Sequence, residues 1–321
     1  MFIFISALAA IIPMVTYLVF IWWFDRYDRE PFKLVLLNYL WGSIGAIIFS
    51  ILGGIIFSNI FSQFISSKEE LIFLGTIITA PVVEEITKGI FLLITVTSRK
   101  FDNMTDGIVY GGAIGLGFGM TENFLYFISF GTTVSNWIAI VIIRTLFSAV
   151  MHCVSTATFG AFLGYAKFKG AKHRILLPLI GLTLAILLHF FWNYSVSFKS
   201  TALTGFFFMF ITIIIFLVIF TASVKNDKKL IFAELLSEAE LGNIPFDHLQ
   251  FLSSAKRNST GWINESIRDP YIKATTTLAF RKMQLKNSTG KSGEFYEHEV
   301  NNYRRFIKNL IESTGDMNEK L

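Results

Sequence analysis

The hydrophobic pattern of this chain is dominated by long apolar runs broken by short polar segments. Seven runs stand out, at about 2–24, 34–58, 71–97, 107–130, 136–166, 175–197 and 202–224. Each is close to the 20 or so residues that an α-helix needs to cross a bilayer, and none shows the alternating pattern of a half-buried strand. The pattern predicts an all-α polytopic bundle of about seven spans over residues 1–224. Residues 225–321 read differently: charges of both signs recur among apolar positions at helical spacing, as in "LIFAELLSEAEL" and "NNYRRFIKNLIES". This region is expected to form a small helical cytoplasmic tail.

Composition agrees with a membrane protein. Hydrophobic residues make up 53% of the 321, with 35 phenylalanines, and the mean hydropathy is +0.56. The lone cysteine, Cys153, excludes an internal disulfide and any multi-cysteine metal cluster. The N-terminal run has no basic flank and ends in Trp22 and Trp23, so it reads as a retained helix and not a signal peptide. The net charge of +5 informs topology; it gives little support to nucleic-acid binding.

Basic residues concentrate in alternate connections: Arg26, Arg29 and Lys33; Arg99 and Lys100; then Lys167, Lys169, Lys172 and Arg174. The positive-inside rule places these in the cytoplasm, with the N-terminus outside and the C-terminus inside the cell membrane. The sequons at Asn258 and Asn287 then face the cytoplasm and carry no glycosylation signal.

Charged groups within apolar runs cost several kcal/mol unless partnered, which makes each a functional candidate. They are Glu84, Glu85 and Lys88 in "APVVEEITKGIFLL", Glu122 and Asn123 in "GMTENF", His152 after Arg144, and His189 with Asn193 in "HFFWN". His189 and Asn193 are four residues apart and share a helix face, as do Glu84 and Lys88. Counted from the span ends, Glu122, His152 and His189 each lie ~12 Å deep, consistent with one layer in the outer half of the bilayer. Pro81 is a potential break in the third span. Glu84 and Glu85, about 100° apart on a helix, are not expected to face one partner. Arg144 and Asp106 are read as interfacial anchors. The glycines of "DGIVYGGAIGLGFG" predict a central, closely packed helix.

Two chemistries suit this constellation. A glutamate could act as general base on water while His and Asn193 stabilise an oxyanion. Alternatively, His152, His189 and Glu122 could bind one divalent metal such as Zn²⁺, although no compact zinc motif is present. A transporter using the same Glu and His for protons or ions is the rival function, but no second-half counterpart of "VVEEITKG" supports inverted repeats.

In order and spacing, "EEITK", "DGIVYGGAIGLGFGMTEN", "RTLFSAVMHCVSTATFGAFLGYA" and "HFFWN" resemble the PrsW family of bacterial intramembrane proteases, relatives of the type II CAAX prenyl protease and bacteriocin-processing group. The tail segment "IKATTTLAFRKMQL" resembles it more loosely. The resemblance implies that Glu84, Glu85, Glu122, His152 and His189 form the catalytic motif, with Asn193 a further member and Lys88 and Asn123 supporting. It implies cleavage of a single-pass membrane protein near its extracytoplasmic side, typically an anti-sigma factor in stress signalling, by a metal-dependent or glutamate-type mechanism.

Overall fold

A computed structural model describes residues 2–313, and every regular element among them is helical. The long helices are α1 (Phe2–Phe24), α2 (Phe32–Phe61), α3 (68–95), α4 (Met104–Phe130), α5 (Val134–Ala166), α6 (Ala171–Ser197) and α7 (Lys199–Glu240). Three shorter ones follow: α8 (Phe246–Leu252), α9 (Glu265–Lys286) and α10 (Lys291–Glu312). Starts are marked by side chains that accept otherwise orphaned N–H groups. Ser67 caps α3 through the Glu70 amide, Thr133 caps α5 through Asn136, and Asn103 with Asp106 forms a reciprocal capping box on α4. Asp106 therefore ties down the start of a helix and is buried within the protein.

Helices stand at all seven expected spans. Five of them, α1, α2, α5, α6 and α7, are long and apolar enough by themselves to cross a membrane. The other two are the polar ones: α3 carries Glu84, Glu85 and Lys88 within two turns, and α4 is glycine-rich with Glu122 and Asn123 near its end.

By packing, the chain divides into a unit of residues 1–25 and 30–220 and a second of residues 26–29 and 221–321. In the first, α4 is the central helix. A Cβ on Gly107, Gly111 or Gly115 would overlap the backbone of Gly160, Thr156 and His152 on α5, and one on Gly117 would overlap the backbone of Tyr39 on α2. Glycine is required there because two helix backbones approach to contact. The outward faces of α1, α2, α6 and α7 leave large apolar side chains such as Phe4, Ile55, Leu179 and Ile215 exposed, as a lipid solvent allows.

The chain stays helical through Pro81, a potential break. α3 runs on through a π-helical turn at Gly75–Thr79 just before the proline. Similar turns interrupt α2 at Trp41–Ala46 and α5 at Arg144–Ser148. Each inserts one extra residue per turn and rotates the flanking faces, a feature common beside functional sites.

The second unit packs the end of α7 with α8, α9 and α10 around Leu235, Leu249, Tyr271, Leu278, Phe280, Val300 and Ile307. Glu238 is buried and receives Lys282 at 2.6 Å and Arg304 at 2.8 Å.

Candidate active site

One turn of α3 supplies the centre of the site. Lys88 is fully buried and its ammonium lies 2.8 Å from Glu85 Oε1 and 3.6 Å from Glu84 Oε2. Both glutamates thus reach one partner, against the sequence expectation, because Lys88 is three residues from one and four from the other, between their directions. Its third neighbour is His152 Nδ1 on α5, at 2.9 Å, and it also rests 3.9 Å from the Phe118 ring centre.

Carboxylates fix both imidazoles. Glu122 Oε2 lies 2.6 Å from His152 Nε2, and Glu85 Oε1 lies 3.0 Å from His189 Nδ1. A carboxylate accepts only, so the ring proton belongs on His152 Nε2 and on His189 Nδ1. The opposite nitrogens then carry lone pairs: that of His152 Nδ1 accepts from the Lys88 ammonium, and both nitrogens lie close to one oxygen of Glu84. His152 Nδ1 is 4.0 Å and His189 Nε2 3.8 Å from Glu84 Oε2. Glu85 is held on its other oxygen by the Thr156 hydroxyl, at 3.1 Å.

Arg144 is part of this assembly and not an interfacial anchor. Its Nη2 donates to Glu122 Oε2 at 2.6 Å, its Nε to Asn123 Oδ1 at 3.1 Å, and its guanidinium stacks 3.6 Å from the Tyr126 ring centre. Glu122 without this cation would be a half-buried carboxylate on a neutral ring, so the pair explains how α4 keeps an acid there. Asn193 stands apart from the carboxylates: its Nδ2 donates to the Thr76 carbonyl at 3.0 Å.

Above the cluster is a cavity of about 690 Å³ lined by Glu84, Glu122, Arg144, His152, Asn193 and residues of α2 and α3. Glu85, Lys88 and His189 lie behind its wall. Phe61, Lys68, Val196 and Ser197 are also in the lining, and they flank the connections of low basic content.

Glu84, His152 and His189 each offer one ligand atom, all within 4.8 Å of one another, a set able to hold a metal ion. Glu84 Oε2 is buried and has no hydrogen-bond partner among the described residues. A carboxylate oxygen that makes no hydrogen bond and has two imidazole nitrogens within 4.0 Å fits a divalent cation, as does the His₂Glu donor set, provided Lys88 releases His152 Nδ1. The carboxylate in this set is Glu84. Glu122, expected from the sequence as the metal-binding acid, instead contacts His152 from the other side of the ring.

The family model described as "PrsW family intramembrane metalloprotease" matches residues 30–222, the span that holds every residue above. The chain belongs to the PrsW family. It is 30% identical over 213 residues to Protease PrsW of Bacillus subtilis strain 168, covering 65% of this chain and 88% of that protein. Protease PrsW of Geobacillus kaustophilus is 29% identical over 170 residues, 52% of this chain and 68% of the relative. The Clostridioides difficile protein of the same name is 30% identical over 169 residues, with the same coverage. No solved structure matches the chain.

In this PrsW-family membrane protease the structure gathers Glu84, Glu85, Lys88, Glu122, His152 and His189 into one contiguous network, with Asn123 joined through Arg144 and Asn193 at the cavity wall. The sequence reading omitted Arg144 and Tyr126 from the site. The available signal was the spacing Arg144, Ser148, His152, a repeat of four on one helix; the π turn at 144–148 then alters the face that this spacing implies.

Proposed function

We propose that the chain is an intramembrane endopeptidase in which Glu84 is the general base for water attack on a peptide carbonyl. The observation that carries this is that a cavity-lining oxygen of Glu84, which makes no hydrogen bond, has His152 Nδ1, His189 Nε2 and the Lys88 ammonium all within 4.0 Å. Glu84 Oε2 takes a proton from the attacking water and returns it to the leaving amine. Glu122 and Glu85 hold the two rings in one tautomer, and Lys88 supplies positive charge beside the centre throughout.

A second reading is favoured by the donor set. Glu84, His152 and His189 would hold one divalent ion such as Zn²⁺, which would polarise the scissile carbonyl and acidify its water. In this arrangement Glu122 and Glu85 are the carboxylates that orient the ligating histidines, and Lys88 must leave His152 Nδ1.

The substrate class we infer is a single-pass membrane protein, of which an anti-sigma factor would be an example, cut near its extracytoplasmic side. The charge bias of the connections supports an outward N-terminus and an inward C-terminus, and the cavity lining reaches residues beside the low-charge connections.

The test is cleavage of a single-pass substrate by purified wild type and Glu84→Gln, with metal content measured on both. Loss of turnover by at least about a thousandfold is expected for the variant. Full activity in Glu84→Gln would refute the proposal. Stoichiometric metal in wild type, lost in Glu84→Gln and His189→Ala, would select the second reading; activity in metal-free wild type would select the first.

A further inference from the structure

The π turn before Pro81 leaves the Thr76 carbonyl without its helical donors. Within Gly75–Thr79 the Ala80 N–H bonds to the Gly75 carbonyl, one residue further back than in an α-helix. The Thr76 carbonyl then has lost its i+4 donor, and its i+5 donor would be residue 81, a proline with no N–H. Its partner is the Asn193 side chain, reaching from α6 at 3.0 Å. Both groups line the cavity, together with Gly75, Thr79 and Ala80. The wall is open here, since a Cβ on Gly75 would meet nothing within 4 Å.

We propose that the Thr76 carbonyl and the Asn193 amide are a docking point for the substrate main chain. This rests on the endopeptidase reading and adds the form in which the substrate is recognised. In an extended strand the N–H and C=O of one residue point to the same edge and can exchange both bonds with one partner. A single extended substrate residue donates its N–H to Thr76 O and accepts from Asn193 Nδ2, replacing the bond those two groups make with each other. A helical transmembrane segment cannot do this, because its backbone groups are already paired within the helix. The site therefore selects a segment that has unwound. Thr76 precedes Glu84 by eight residues, ~12 Å along α3, and a strand advances ~3.3 Å per residue. The docked residue is thus about three or four positions from the bond that is cut.

The experiment is an ester scan of a synthetic single-pass substrate, replacing one backbone N–H at a time with oxygen. In wild type one position, three or four from the cleaved bond, is expected to raise KM about tenfold, the size of one hydrogen bond, with kcat little changed. In Pro81→Ala the same ester is expected to have no effect, because the N–H restored at position 81 occupies the Thr76 carbonyl. Pro81→Ser restores the same N–H if the first variant does not fold. Absence of any ester-sensitive position, or equal sensitivity in wild type and both variants, overturns the docking point while leaving the protease reading intact. Failure of wild type to cut any unmodified substrate removes the protease reading and the docking point with it.

Discussion

Replacing Lys88 with methionine tests the electrostatic logic of the site most directly. Methionine keeps an unbranched side chain of similar length and removes only the charge and its donors. Lys88 is fully buried, 2.8 Å from Glu85, 2.9 Å from His152 and 3.6 Å from Glu84. Its loss leaves two adjacent carboxylates without the ammonium that both of them contact. Removing one member of a buried pair costs about 3–5 kcal/mol, mostly the penalty of the stranded charge. At about 2–4 °C per kcal/mol for a unit of this size, Tm should fall by on the order of 10 °C. Thermal unfolding of the detergent-solubilised protein, followed by circular dichroism, measures this. The double variant Lys88→Met with Glu85→Gln should recover most of the loss, because the neutral amide no longer needs a counter-ion. A change below about 1 kcal/mol in the single variant would sink the argument. So would a double variant as unstable as the sum of the two singles, since residues in one network should couple.

Two further outcomes follow from the packing and from the outer ion pair. Gly115→Ala places a methyl on the His152 backbone, so it should cost about 1–3 kcal/mol and reduce proteolysis by shifting α5; Gly170→Ala, which meets nothing within 4 Å and lies outside the cavity lining, is the control and should behave as wild type in the same melting and cleavage assays. Arg144→Ala should lower kcat about a hundredfold, because Glu122 then lacks the cation that holds it against His152, whereas Arg144→Lys should recover only part of it for want of the second donor to Asn123; unchanged kcat in Arg144→Ala would remove Arg144 from the site.

The fold class and the ionisable residues that the structure gathers into one network were legible along the chain because both rest on local rules. Apolar run length announces a helix in lipid, and an ionisable residue such as Glu84 or His189 inside a run stands out because hydrocarbon tolerates so few. The glycine series in α4 likewise announced close helix packing, and Gly111 and Gly115 do meet α5. Directions and partners were not legible. The three π turns rotate helix faces by an amount that no periodicity reveals, and the partners of Arg144, Glu122 and Asn123, stand on another helix, which spacing along α5 does not show. Lys88 serves Glu84, Glu85 and His152 together, which depends on α3 and α5 meeting at that turn. Which carboxylate lies near both imidazoles was likewise set by packing: Glu84 and Glu122 approach His152 from opposite ring nitrogens, a distinction of a few ångströms between helices that sequence spacing within one helix does not encode.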